Sequence, residues 1–463
     1  MKANALIQPG MRTAVLGLGV SGRAAVRYLQ AAGAEVVVSD SRSEREFLAR
    51  EGAFLQDTGV AWEAGGHTPA FFAEIDMAFI SPGVPLDLPL LGQLRERGVN
   101  LVGELAVAAP AIGDPVVAVT GTNGKTTVTT LIGQLLQSGG RRVFVGGNIG
   151  TPLLHHLLAG DEVDDIVLEV SSFQLDTAGA FRPDIALLLN ITPDHIDRHG
   201  SLDGYCRAKM KIFANQRADD IAIVNGDDAL CRNLLPGIVS RLRLFGHTPD
   251  CDARIEGETV VLRWTGEEIY DLSGSRMANA IGLMNAAAAV LAARSAGCGR
   301  EEILAGLLAF EPLHHRMELV AEIGGVAYYD DSKATNTGAV LAALGQVAGR
   351  VVLIAGGRDK GDDYGLLRQS IAAKARAVVL IGEAAPLIEA ALAGVVPIGH
   401  AATMEEAVSR AHAAARPGDA VLLSPACASF DMFNSYAHRG EVFAAAVEKL
   451  QSAAAVSMKG GDR

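Results

Sequence analysis

Apolar runs of four to six residues, rich in Val, Ile, Leu and Ala, punctuate the chain at 13–18, 35–39, 76–81, 116–120, 166–170, 185–189, 221–224, 326–329, 351–355, 378–381 and 420–424. Longer Ala-rich segments with apolar residues at helical period separate most of them. Short apolar runs without polar alternation mark strands buried on both faces, and their alternation with helices predicts parallel sheets covered on both sides. The rhythm breaks near 103–113 and near Glu311-Pro312. The expected architecture is therefore three α/β domains: 1–104, 105–312 and 313–463. No short repeat is present, and only the tail at 458–463 is a polar block.

Composition agrees with that division. At 463 residues the chain exceeds one core, given about 150 residues per domain. Apolar residues make up 49%, glycines number 52 and aromatics are 5%, which suits a protein with many strand-to-helix turns. No stretch of 18 apolar residues offers a membrane span. Lys2 and Arg12 lie around a first apolar run that ends in glycines, so it reads as a strand and not as an export signal; a cytoplasmic location is expected. Cys206, Cys231, Cys251, Cys298 and Cys427 are scattered, matching neither a zinc spacing nor a disulfide framework, and are expected to be buried thiols. A formal charge of -13 without a long Lys/Arg run argues against nucleic acid. Small anions remain possible partners, because helix N-termini and a few basic side chains make a phosphate site locally. Nothing calls for an obligate oligomer, and a monomer is expected.

Two glycine turns carry candidate chemistry. GLGVSG, 17–22, satisfies G-x-G-x-x-G after an expected strand, and the next strand ends in Ser39-Asp40. Such glycines let a backbone approach a pyrophosphate at a helix N-terminus, and the acid can hold a ribose. The motif reads diphosphate geometry and not nicotinamide, so a nucleotide-like ligand is favoured over a redox cofactor, with a plain tight turn as the bland alternative. The second turn, AVTGTNGKTT at 118–127, ends like a Walker A loop but has Val119 where the first glycine belongs. Its strand-turn-helix context is that of a phosphate loop. Gly121, Thr122, Asn123 and Gly124 would turn N-H groups toward phosphate, Lys125 would neutralise β and γ charge, and the Thr126 hydroxyl would bind Mg²⁺, with Thr127 following.

T-G-T-N-G-K-T-T resembles the ATP loop of the Mur ligase family, ATP-dependent amide ligases of peptidoglycan precursor synthesis, in which that first glycine is normally absent. GGNIG (146–150), LEVSSFQL (168–175), NITPDHIDRHG (190–200), HHRME (314–318), YYDDSKATN (328–336), AGGRDKG (355–361) and LLSPACASFDMF (422–433) follow in family order over nearly the whole chain. D-S-K-A-T-N, S-P-A-C-A-S-F-D and S-P-G-V-P (81–85) are similar to the D-glutamate-adding branch. The resemblance implies a Rossmann-like N-terminal domain, a central P-loop-type ATPase domain and a Rossmann-like C-terminal domain. It implies the substrates UDP-N-acetylmuramoyl-L-alanine (UDP-MurNAc-L-Ala), D-glutamate and ATP, with two Mg²⁺ ions and a lysine carbamylated by CO₂.

Residue by residue, it puts Glu169 beside Thr126 as a Mg²⁺ ligand, His195 on a second Mg²⁺, and the carbamate on Lys209. Asn148, Asn285, His315, Arg316, Asp331 and Lys333 match family residues around ATP: an Asp near the ribose, an Arg on the phosphates, a His against adenine. Thr335 and Lys360 match a clamp on the α-carboxylate of D-glutamate, Ser429 and the neighbourhood of Tyr436 a clamp on its side-chain carboxylate. Val20, Ser21, Ser41, Arg42, Gly83, Ser171 and Gln174 fall in the sugar-nucleotide pocket, so GLGVSG is expected to hold uridine diphosphate. Two departures stand out. The family's His-Asn pair before Asn285 reads Ile281-Gly282, and Tyr436 replaces a phenylalanine. Three rivals are a dehydrogenase built on GLGVSG, a sister ligase for another amino acid, and a nucleotide-binding scaffold without catalysis.

Joining a carboxylate to an amine is uphill in water, so the carboxylate must first take the γ-phosphate of ATP as an acyl phosphate. Two anions then meet, which requires cations to cancel their repulsion.

Overall fold

A computed structural model describes residues 4–264, 266–311, 314–347 and 349–460. The Pro312 side of the second expected seam and the end of the polar tail lie outside them. Two compact units emerge: Met1–Ile191 with Asp203–Ala278 and Gly282–Ala309, and Thr192–Leu202 with Asn279–Ile281 and Phe310–Arg463.

The first unit holds two sheets. Five parallel strands run in the order Ala61–Ala64, Glu35–Asp40, Arg12–Leu16, Met77–Ile80, Asn100–Val102. The strand order reverses beside Arg12–Leu16, and the GLGVSG turn leaves that strand's C-terminal end. A ligand crevice belongs at such a reversal. The second sheet has nine strands. Third from one edge, Val116–Thr120 lies between Ile185–Leu188 and Asp165–Glu169, both parallel to it. The phosphate loop leaves the C-terminal end of this buried strand, again at a reversal of strand order.

The second unit carries six strands: Glu318–Ile323, Val326–Asp330, Ala420–Leu423, Val351–Gly356, Ala375–Ile381, Ile398–His400. Apolar side chains on both faces of the central strands form its two core clusters.

All eleven expected strands are present within two or three residues. The expectation of purely parallel sheets is corrected at two places. Ala253–Glu256, Thr259–Arg263 and Glu267–Asp271 form an antiparallel meander at one edge, and Glu318–Ile323 pairs antiparallel with Val326–Asp330. Turns of two or three residues connect these strands, leaving no room for a crossover helix.

At the first seam, Gly103 packs against Thr177, where a Cβ would come within 2.1 Å of the Thr177 hydroxyl. The next residue, Glu104, is 2% exposed and accepts the Leu154 N-H at 3.2 Å. Burial pushes its carboxyl up to about 7 against the pull of these donors. Between about pH 4.5 and 7 the folded chain therefore keeps a proton that the unfolded chain has released, and stability falls as pH rises through that window. Glu104→Gln should flatten this dependence and be more stable than the wild type at pH 8 by roughly 2 kcal/mol, measured by thermal unfolding at pH 5 and 8.

Candidate active site

In the phosphate loop, Gly121 and Gly124 have φ of 156° and 83°, and the helix Lys125–Ser138 starts immediately after. A Cβ at Gly121 would sit 2.9 Å from the Leu189 side chain, and one at Gly124 would sit 2.9 Å from the Asn285 carboxamide oxygen. The loop is thus a shortened turn pressed onto the neighbouring strand end, which explains why Val119 can stay in its strand. Asn190 fixes its shape by accepting the Thr122 and Asn123 N-H groups and donating to the Asn123 carbonyl.

Two lysines converge on one oxygen of this loop. Lys125 Nζ donates to the Gly121 and Thr122 carbonyls at 2.9 and 2.8 Å, and Lys209 Nζ donates to the same Gly121 carbonyl at 2.7 Å. Lys209 is only 1% exposed and lies 4.4 Å from the Tyr205 ring centroid. This enclosed position against the phosphate loop is not that of a solvated helix lysine.

Glu169 ends its strand beside Asn148, which donates to its Oε1 at 2.7 Å. Its other oxygen, Oε2, is buried and has no hydrogen-bond partner among the described residues. An orphaned carboxylate oxygen is costly unless a cation completes it. Ser171 and Gln174 form a capping box on the next helix, with the Gln174 carboxamide oxygen accepting the Ser171 N-H and hydroxyl at 3.0 Å each.

In the N-terminal sheet, Gly17 has φ 81° and a Cβ on Gly22 would come within 2.2 Å of the Gly17 carbonyl, so helix and turn touch as a pyrophosphate turn requires. Val20 stands 59% exposed at the helix start with Ser21 next to it, Ser41 directly follows the strand Glu35–Asp40, and Gly83 comes shortly after the strand Met77–Ile80. Asp40 is already engaged by the Leu18 N-H and by Arg42 Nη2 at 2.8 and 2.7 Å. Burial opposes its charge, but the Arg42 hydrogen bond and the Leu18 and Arg42 N-H groups outweigh this and bring it to about 2. A carboxylate committed to Arg42 is poorly suited to a nicotinamide dinucleotide's ribose, which weighs against the dehydrogenase reading.

The second unit assembles the remaining candidates. His315, at φ 62°, donates its Nδ1-H to Asp330 Oδ2 at 2.7 Å and meets Tyr436 edge-on, with ring centroids 6.3 Å apart. Lys333 Nζ lies 3.8 Å from the Tyr436 ring centroid. Asp331 accepts the Ser424 hydroxyl at 2.8 Å, and burial pushes its carboxyl up to about 7 despite the charge of Arg316. Thr335 precedes Asn336, which caps the helix Thr337–Gln346. Lys360 Nζ is 3.0 Å from Asp194 Oδ1, and Asn336 Nδ2 donates to Asp194 Oδ2 at 3.1 Å. Burial opposes the Asp194 charge, but Lys360, His195 and Asn336 together hold its carboxyl below the ordinary range. His195 itself has φ 53° and starts the short helix Ile196–His199. Ser429 is buried.

Three participants escaped the sequence reading. Asp194 stood inside a recognised motif but gave no sign of its partner 166 residues away. Arg439, fully buried, donates to the Ser332 hydroxyl and carbonyl and to the Cys427 carbonyl at 3.0, 2.8 and 3.1 Å, joining two motif loops. Tyr364 sits among apolar residues. The Gly282 half of the Ile281-Gly282 departure has a steric reason: a Cβ there would come within 2.4 Å of the Met277 carbonyl.

Family models match three consecutive segments: the Mur ligase MurD-like N-terminal domain at 11–103, the Mur ligase middle domain at 119–293 and the Mur ligase glutamate ligase domain at 315–427. The UDP-N-acetylmuramoylalanine--D-glutamate ligase of Desulfotalea psychrophila is 54% identical over 455 residues, covering 97% of this chain and 99% of the relative. That of Desulfosudis oleivorans is 47% identical, covering 95% and 96%. Among solved structures, a pseudomurein peptide ligase type C from Methanothermus fervidus shares the fold with a TM-score of 0.62 at 18% identity, covering 95% of this chain and 100% of the other. A UDP-N-acetylmuramate-alanine ligase from Thermotoga maritima does so with 0.58 at 19%, covering 96% and 100%.

Proposed function

The chain belongs to the Mur ligase family, and from that premise we infer how its residues divide the work of an ATP-dependent D-glutamate ligase. The reaction joins D-glutamate to UDP-MurNAc-L-Ala in peptidoglycan synthesis, releasing ADP and phosphate. The observation that carries the residue assignment is the convergence of Lys125 and Lys209 on the Gly121 carbonyl, beside a strand end whose Glu169 has an unsatisfied oxygen.

In this reading Lys125 and the loop N-H groups hold the β- and γ-phosphates of ATP. Mg²⁺, when bound, would supply Lewis-acid charge; Thr126 and Glu169 would hold one ion, and His195 and carbamylated Lys209 the second. The orphaned Glu169 oxygen fits this donor set. The alanyl carboxylate attacks the γ-phosphorus and ADP leaves; the D-glutamate amine then attacks the acyl phosphate carbon, and the tetrahedral intermediate expels phosphate as the nitrogen gives up a proton. Lys125 and nearby cations stabilise the charge on the tetrahedral carbon. Carbamylation of Lys209 turns one of two converging cations into an anion, which removes their mutual repulsion.

Asn148, Asn285, His315, Arg316, Asp331 and Lys333 bind ATP; Val20, Ser21, Ser41, Arg42, Gly83, Ser171 and Gln174 bind the sugar nucleotide; Thr335, Lys360, Ser429 and Tyr436 bind D-glutamate. Asp194 holds Lys360 until the substrate carboxylate competes for it. Domain limits at 104/105 and 312/313 suit the matched segments. No helix among the described residues is long and apolar enough to cross a membrane, and we place the enzyme in the cytoplasm as a monomer.

The test is phosphate release from ATP with Mg²⁺ and UDP-MurNAc-L-Ala, comparing D-glutamate with L-glutamate, L-lysine and no amine. Release only with D-glutamate is expected; release with another amino acid would overturn the clamp assignment. The Tyr436 ring supports Lys333 through a cation-π contact and needs no hydroxyl for it. Tyr436→Phe should leave KM for ATP within about twofold, and Tyr436→Leu should raise it roughly fivefold in steady-state assays.

A further inference from the structure

The two loops that carry the proposed D-glutamate clamp are joined behind it. Arg358 and Ala428 form an isolated antiparallel bridge, exchanging N-H to carbonyl bonds of 2.9 and 3.0 Å. Behind that bridge lies a buried polar chain. Tyr364 Oη donates to Asp359 Oδ1 at 2.6 Å and is 3.1 Å from Cys427 Sγ. Tyr364 and Cys427 are 5% and 0% exposed. A phenol has one proton, and it points to the carboxylate, so the thiol must donate to the phenol oxygen. Burial pushes the Cys427 thiol up to about 12, so it keeps the proton it donates.

Asp359 directly precedes Lys360, and Cys427 lies two residues before Ser429. The chain from Cys427 through Tyr364 to Asp359 therefore ties the two carboxylate clamps together at a fixed spacing. A dicarboxylate is recognised by the separation of its two charges, so whatever fixes the separation of the clamps fixes the length of amino acid accepted. Lost hydrogen bonds behind a clamp loosen it without touching the nucleotide sites.

We propose that Tyr364 is a positioning residue for the amino-acid site, its hydroxyl setting the distance between the Lys360 and Ser429 loops and so the preference for a five-carbon dicarboxylate. The inference rests on the reading of Lys360 and Ser429 as the clamp. Removing the hydroxyl alone leaves the ring in its apolar cluster, so the fold survives the test.

The experiment measures KM for D-glutamate, ATP and UDP-MurNAc-L-Ala, kcat, and the D-glutamate to D-aspartate ratio of kcat/KM in Tyr364→Phe, Cys427→Ala, Cys427→Ser and Lys360→Ala. Tyr364→Phe and Cys427→Ala should raise KM for D-glutamate about tenfold and narrow the discrimination, with kcat and the other two KM values within about twofold. Cys427→Ser, which keeps a donor, should restore the wild-type value. An unchanged KM for D-glutamate in Tyr364→Phe, or a parallel rise of all three KM values with a lower Tm, overturns the inference. Lys360→Ala separates the two layers. If it raises KM for D-glutamate while Tyr364→Phe does not, this inference alone fails; if Tyr364→Phe raises it and Lys360→Ala does not, the clamp reading fails.

Discussion

Lys125→Ala should lower D-glutamate-dependent phosphate release by about three orders of magnitude while leaving the affinity for UDP-MurNAc-L-Ala close to that of the wild type. The ammonium group reaches the phosphate loop from the first turn of the helix Lys125–Ser138, where it is held by the Gly121 and Thr122 carbonyls. Those carbonyls do not need it for folding, because Lys209 also serves Gly121 and the loop is fixed by Asn190. In the proposed function the same ammonium neutralises charge that moves during phosphoryl transfer. Lys125→Arg should fail almost as fully, since a planar fork cannot replace a point charge inside a turn this tight. Turnover is read by phosphate release and sugar-nucleotide binding by calorimetry. Undiminished turnover in Lys125→Ala would refute the phosphate-loop assignment.

Lys209→Ala carries the second-largest expected loss, about two to three orders of magnitude in kcat. Carbamylation begins with a neutral amine attacking CO₂; an N-C bond forms, the nitrogen gives up a proton, and a cation becomes an anion. The setting suits that change. Lys209 is shielded from water, packs against Tyr205 and shares its acceptor with another lysine. Wild-type enzyme freed of CO₂ should lose activity and regain it with bicarbonate, and labelled bicarbonate should give a carbamate carbon signal that is absent from Lys209→Ala. Lys209→Arg should be as inactive as the alanine variant, because a guanidinium does not carbamylate. Retention of full activity in CO₂-free buffer would sink the assignment.

The legibility of this molecule from its sequence follows burial. Strands covered on both faces, such as Val116–Thr120 and Val351–Gly356, write continuous apolar runs and were readable. The strands Ala61–Ala64 and Glu267–Asp271 are incompletely buried and carry charges, so their periodicity vanished into the loops around them. The phosphate loop was readable because its residues are consecutive. Asp194 with Lys360, and Arg439 with Ser332, were not, because pairing across more than a hundred residues leaves no local pattern. Lys209 shows the same limit from another side: its helix has an ordinary composition, and only the fold reveals that this lysine is enclosed while Lys211 pairs with Asp176 at the surface.

The membership of residues 192–202 in the C-terminal unit has a consequence for how such chains can be cut and recombined. A fragment beginning at residue 313 would hold the whole six-stranded sheet but would lose Asp194, stranding Lys360 and Asn336 beside a gap. Hybrids of two relatives joined at that point would pair a Lys360 loop from one parent with an Asp194 segment from the other. Compatible exchange would have to carry both segments together, so inheritance at this site follows contact in space and not the linear order of domains.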